Sequence, residues 1–186
     1  MCKPVGRGVW IYIWKFRGNP KNFAYGHASM FVRDKNNQMA YISWWPQGDR
    51  PPSALDGGHQ RIYKPLNPYL YEARAIEKRT YEQDLKDERC SPDHTFEISG
   101  LDEEKIIKFQ ESLTLQYQNG QQASGPIKPW SAKDHNCSTV VHDALKAGGA
   151  DEVTMNYWFT SLWTPNRVLE YAKNLKHMLD KKPPNS

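Results

Sequence analysis

No stretch of this chain is apolar for long enough to cross a membrane. The longest apolar run, Val9 to Trp14, is far short of the roughly 20 residues a span needs. The N-terminus lacks a basic start, an apolar segment and a small-residue cleavage site. The chain as given is therefore expected to be soluble, without stable membrane insertion. Cysteine is scarce: Cys2, Cys90 and Cys137, separated by 88 and 47 residues. Those spacings match no zinc template, and an odd count with no close pair argues against a disulfide framework. Free thiols in a reducing compartment are expected, with no metal site and no cofactor. A long run of one charge is also missing. The net charge is +4 with a pI near 8.9, but acidic residues interrupt the basic ones. A weakly basic solvated surface follows, and a nucleic-acid partner, which needs a continuous basic stripe, does not.

Aromatics are abundant instead. Seven Trp and ten Tyr in 186 residues can build a core although only 38% of the chain is hydrophobic. One domain over residues 1–180, with a frayed tail at 181–186, fits this length. Val9–Phe16, Phe23–Arg33 and Met39–Trp45 read as strands, the last two as a hairpin. Residues 47–58 read as a loop, and 59–66 as a short strand. Residues 69–90 carry little periodicity. His94–Ser99 reads as another strand, and Asp102 as the N-cap of a helix running to about Gln118. Residues 119–129 read as a loop. A helix begins at Cys137, capped by Asn136 and ended by Gly148-Gly149. The last begins at Thr164-Pro165 and runs to about Leu179. Strands followed by helices predict an α+β fold, an antiparallel sheet packed against helices.

The most informative stretch is Asn136-Cys137-Ser138-Thr139-Val140-Val141. A cysteine in the first helical turn lies at the positive end of the helix dipole, beside unpaired backbone N–H groups. Both favour thiolate over thiol. The same N–H groups can hold a developing oxyanion. Val140, Val141, Ala144 and Gly148 form one apolar face that packs on the sheet. His142, about 140° around the helix from Cys137, reads as a surface residue. A base for Cys137 should therefore come from the sheet. His27, mid-strand among the small residues Gly26, Ala28 and Ser29, is the candidate.

Together these motifs resemble the papain-like enzymes of the NlpC type, in which Asp-Cys-Ser-Gly opens the nucleophile helix. There the histidine follows the cysteine; here it precedes it by 110 residues. That order resembles the circularly permuted members: lecithin:retinol acyltransferase-like proteins, permuted deSUMOylating-type peptidases, and bacterial effector or toxin domains with acyltransferase or protease activity. Gly26-His27-Ala28-Ser29 and Tyr41–Pro46 match the histidine hairpin of that arrangement. Asn136 stands where the NlpC type has Asp, and Thr139 where it has Gly. The resemblance implies a permuted papain-like fold, delivery as an effector, and an aspartate after the hairpin. Asp56 is the first choice for that third catalytic residue, with Asp49 and Ser43 as alternatives.

The expected activity is that of a cysteine peptidase or amidase acting on a protein or peptide. Cys137 is the nucleophile, His27 the base, and the Cys137 N–H with the Asn136 side chain the oxyanion donors. An acyltransferase or transglutaminase-like effector would use the same dyad. A non-enzymatic module would instead use an exposed aromatic surface built on Trp44-Trp45-Pro46, Trp158 and Trp163.

Overall fold

The computed structural model describes residues 4, 6–19, 22–24, 26–44, 80–118, 121–124, 136–154 and 162–181. Four strands form the main antiparallel sheet: β1 (Gly8–Trp14), β4 (His27–Arg33), β5 (Met39–Ser43) and β6 (His94–Ile98), in the order β5-β4-β1-β6. Two short hairpins accompany it, β2 (Arg17–Asn19) with β3 (Asn22–Ala24), and β7 (Thr114–Gln118) with β8 (Gln121–Ser124). The helices are α1 (Tyr81–Glu88), α2 (Glu103–Ser112), α3 (Cys137–Ala147), α4 (Ala150–Val153) and α5 (Pro165–Lys181). The chain is thus α+β, with an antiparallel sheet packed against helices.

The unbroken apolar run of β1 reflects its place inside the sheet, where every residue is buried. Its alternate residues serve two different cores. Val9, Ile11 and Ile13 join Ala28, Met30 and Val32 of β4, Ile42 and Ile98 in the main core. The apolar faces of α2, α3 and α5 complete it, through Ile106, Val140, Val141, Ala144, Val168 and Leu175. Each fully buried Val, Leu or Ile side chain here contributes about 1.5–3 kcal/mol. On the opposite face Trp10, Tyr12, Trp14 and Phe31 form an aromatic cluster, against which Tyr41, Tyr81, Leu85 and Cys90 pack. Tyr81 and Leu85 belong to α1, so this short helix lies on the aromatic face.

Several boundaries differ from expectation. The second expected strand divides at Gly26, whose φ of +77° lies in the left-handed region. The segment after it is β4, and the segment before it, β3, pairs with β2. The helix expected to reach Gln118 ends at Ser112, and Thr114–Gln118 is a strand. Alternating Leu115 and Tyr117 fit a strand, and Asn119-Gly120 after them is hairpin chemistry; the 119–129 loop reading also passed over β8. The C-terminal helix starts as expected, with Thr164 Oγ1 accepting the Arg167 N–H at 3.3 Å. The expected loop at 47–58, the strand at 59–66 and residues 182–186 of the tail lie outside the described residues.

Candidate active site

The start of α3 is built around Asn136. Its backbone is extended, and its Oδ1 accepts the N–H of Ser138 at 2.8 Å and of Thr139 at 3.1 Å. Its Nδ2 donates to the Trp163 carbonyl at 2.9 Å. This second bond gives a physical reason for Asn at this position. Aspartate could accept the same two N–H groups, but would set a carboxylate oxygen against a carbonyl oxygen. Asn136 is buried, and its amide is engaged in the cap and in holding Trp163 rather than facing an open space. Cys137 follows as the first helical residue and is partly exposed. Among the described residues its backbone N–H has no acceptor, as befits a first-turn N–H.

His27 is the first residue of β4 and is 2% exposed. Its ring lies beside Trp14, centroids 5.7 Å apart. Gly26 makes this packing possible. A Cβ there would come within 2.7 Å of the Trp14 carbonyl oxygen and 2.9 Å of the Phe16 nitrogen. The His27 Nε2 lies 3.0 Å from Ser43 Oγ and 3.2 Å from Asp84 Oδ2. An ionised carboxylate only accepts, so Nε2 carries a proton. His27 and Cys137 are coupled, the charge of each favouring the charged form of the other.

The sulfur meets the sheet at an open edge. The β4–β5 ladder ends at the Ser29–Ser43 pair. The backbone N–H of Ala28, the next residue along β4, favours the Cys137 thiolate by hydrogen bonding. The Ser138 hydroxyl lies 3.8 Å from it on the other side.

Asp84 is the residue that sequence reasoning missed. It lies on α1, is fully buried, and accepts from His27 Nε2 and, at 2.7 Å, from the Tyr41 hydroxyl. A Ser43 hydrogen bond also supports it. Asp56 and Asp49, expected in this role, lie outside the described residues, as do Trp45 and Trp158. Of the three candidates Ser43 reaches the imidazole, and Asp84 is the carboxylate that joins it there. One signal was available: Thr80 and Gln83 are spaced as a capping box, and both reciprocal hydrogen bonds form. That marks a helix, but nothing local separates Asp84 from the neighbouring Glu82 and Asp87.

The electrostatics follow from this geometry. Burial opposes ionisation of Cys137, but the His27 charge and hydrogen bond, the Ala28 N–H and Ser138 outweigh it and hold the thiol below its ordinary 9.0. Burial likewise opposes the imidazolium, yet the Cys137 charge and the Asp84 hydrogen bond raise His27 above 6.5, to about 10. Burial pushes Asp84 up, and hydrogen bonds from His27, Ser43 and Tyr41 with the imidazolium charge bring it well below its usual range. All three shifts favour a thiolate–imidazolium pair backed by a carboxylate.

Two other expectations need correction. His142 is not a surface residue: its side chain is 12% exposed and stacks on Trp163, centroids 3.8 Å apart. The Tyr171 ring meets it edge-on, and Asp143 Oδ1 lies 3.1 Å from its Nδ1. The face of α3 opposite the sheet is covered by α5 and Trp163, so its angle from Cys137 did not imply solvent. Trp44 and Trp163 are each 5% exposed and belong to the main core, so neither contributes to an exposed aromatic surface. Among the described residues no group of His, Cys, Asp and Glu could hold a metal ion, and no helix is long and apolar enough to cross a membrane.

No curated protein and no solved structure matches the chain. The model of one family, described as the IcsB middle domain, matches residues 3–116 and 78–183. With well over half its length matched, the chain belongs to the IcsB middle-domain family.

Proposed function

We propose that the chain is a cysteine-dependent acyl enzyme of permuted papain-like type, and that it hydrolyses a peptide or isopeptide amide in the manner of a delivered effector. The observation that carries this reading is the coupling of Cys137, at a helix start, to a buried His27 whose far nitrogen meets Asp84. In the resting site the His27 ring is protonated and the charge lies on sulfur. Cys137 attacks the carbonyl carbon, and the oxygen gathers charge beside the Cys137 N–H. His27 then gives its proton to the leaving amine as the C–N bond breaks, leaving a thioester on Cys137. Water, losing a proton to His27, resolves the thioester to a free acid. Asp84 keeps the ring in the tautomer and orientation that both proton transfers need.

An amine in place of water resolves the same thioester as a transfer product, so one experiment separates the two. The protein is incubated with acyl substrates, with and without amine acceptors, and the products are weighed by mass spectrometry. Free acid supports hydrolysis, and an amide of the added amine supports transfer. Cys137→Ala should retain the fold and lose either product. Full turnover by that variant would defeat the proposal.

A further inference from the structure

The hydrogen bonds around Asp84 extend one step beyond the groups that the mechanism uses. The Tyr41 hydroxyl donates to Asp84 Oδ2 at 2.7 Å, the same oxygen that lies 3.2 Å from His27 Nε2. Tyrosine has one hydroxyl proton, and the carboxylate takes it. Ser29 Oγ, 2.7 Å from the Tyr41 oxygen and fully buried, must then donate its own proton to Tyr41. The direction of the chain is therefore fixed: Ser29 to Tyr41 to Asp84, with His27 arriving at Asp84 from the other side.

The strand register explains how these groups meet. Ser29 pairs with Ser43 and Phe31 with Tyr41, so Ser29, Ser43 and Tyr41 share one face of the β4–β5 hairpin with His27. Tyr81 packs edge-on against the Tyr41 ring at 6.2 Å and stands three residues before Asp84 on α1. One helical face thus holds the tyrosine ring and presents the carboxylate to its hydroxyl. The Tyr12 ring, 6.4 Å from Tyr41 and 4.7 Å from Tyr81, packs beside them. A tyrosine locked this way fixes where Asp84 Oδ2 can sit.

We propose that Tyr41 is a positioning residue of the active site, aiming Asp84 at His27 through its hydroxyl, with Ser29 orienting that hydroxyl. The assignment rests on the reading of Cys137 and His27 as a coupled pair. It concerns the thiol itself, so its test needs no knowledge of the substrate.

The test is the rate of Cys137 alkylation by iodoacetamide against pH, in the full chain, with the Cys137→Ala rate subtracted to remove Cys2 and Cys90. The wild type should inflect below the free-thiol value of about 8.5. Tyr41→Phe keeps the ring and removes one hydrogen bond to a charged group, so its inflection should rise by about one pH unit. Ser29→Ala should move it the same way by less, and decides the matter should Tyr41→Phe fail to fold. Tyr12→Phe, which removes a hydroxyl from the same cluster but not from Asp84, should leave it unmoved. A wild-type inflection at the free-thiol value would overturn the coupled pair, and this assignment with it. A depressed wild-type inflection that Tyr41→Phe leaves in place, or that Tyr12→Phe shifts equally, would overturn the role of Tyr41 alone.

Discussion

Replacing Asp84 by Asn changes one atom and removes one charge, at a site with no solvent to compensate. Three donors converge on the carboxylate: His27 Nε2, the Tyr41 hydroxyl and Ser43. An amide accepts with one oxygen only and turns an NH2 towards one of them. With Nε2 and Oδ2 3.2 Å apart, the lost charge–charge attraction is about 5 kcal/mol at an effective dielectric near 20. Some of this returns, because the buried carboxylate also loses its desolvation cost. Removing one partner of a buried pair typically costs ~3–5 kcal/mol. We expect about 3 kcal/mol, felt as a fall of roughly two units in the His27 pKa. The thiolate loses its counter-charge in step. Turnover should drop by about 10²- to 10⁴-fold, with a wrongly held imidazole as the main cause. Iodoacetamide alkylation across pH and a thermal melt form the assay. The inflection should move up towards the free thiol, while the melt shows a folded protein. An Asp84→Asn protein with the wild-type inflection and wild-type turnover would refute the reasoning, since Asp84 would then have no hold on His27.

Other outcomes follow from the same geometry. Gly26→Ala should destabilise the protein by about 2–5 kcal/mol, from left-handed backbone strain and backbone overlap together. Chemical denaturation measures this, and because the Ala methyl meets the Trp14 carbonyl, displacement of His27 should slow Cys137 alkylation in the folded fraction as well. Asn136→Asp keeps the helix cap but sets two oxygens together at Trp163, and should cost about 1–3 kcal/mol in a urea midpoint series. Turnover against pH should be bell-shaped: the acid limb follows the Cys137 thiol, below 9.0, and the alkaline limb follows His27, near 10. Stability should have a matching window. Asp84, held low, contributes above its ordinary 3.8, and this is lost as pH falls; His27, held high, contributes fully below 6.5, and this is lost as pH climbs through about 10. Melting temperatures across pH check both signs.

Cys137 and His27 were legible because local rules mark them. An Asn before a helix start and a histidine among small strand residues can be recognised in a few neighbouring letters. Asp84 could not be read that way. Its helix is short and polar, with Tyr81 and Leu85 as its apolar contribution to the aromatic cluster. Its value as a carboxylate comes from His27, 57 residues away. The end of α2 misled for a different reason. Phe109, Leu113 and Tyr117 fit a helical spacing, while Leu115 and Tyr117 fit a strand equally well, and the pairing of β7 with β8 decided between them. His142 was placed correctly around α3 but lacked its neighbour: without α5 and Trp163 in view, the far side of a helix looks like solvent.

Asp84 reaches His27 from the aromatic face of the sheet, whereas Cys137 arrives with the helices of the main core. On the proposed reading, the reactivity of the thiol depends on both layers being packed onto β4. Any partner or modification that lifts the eight-residue α1 would draw Asp84 away from His27 while leaving Cys137 and its helix in place.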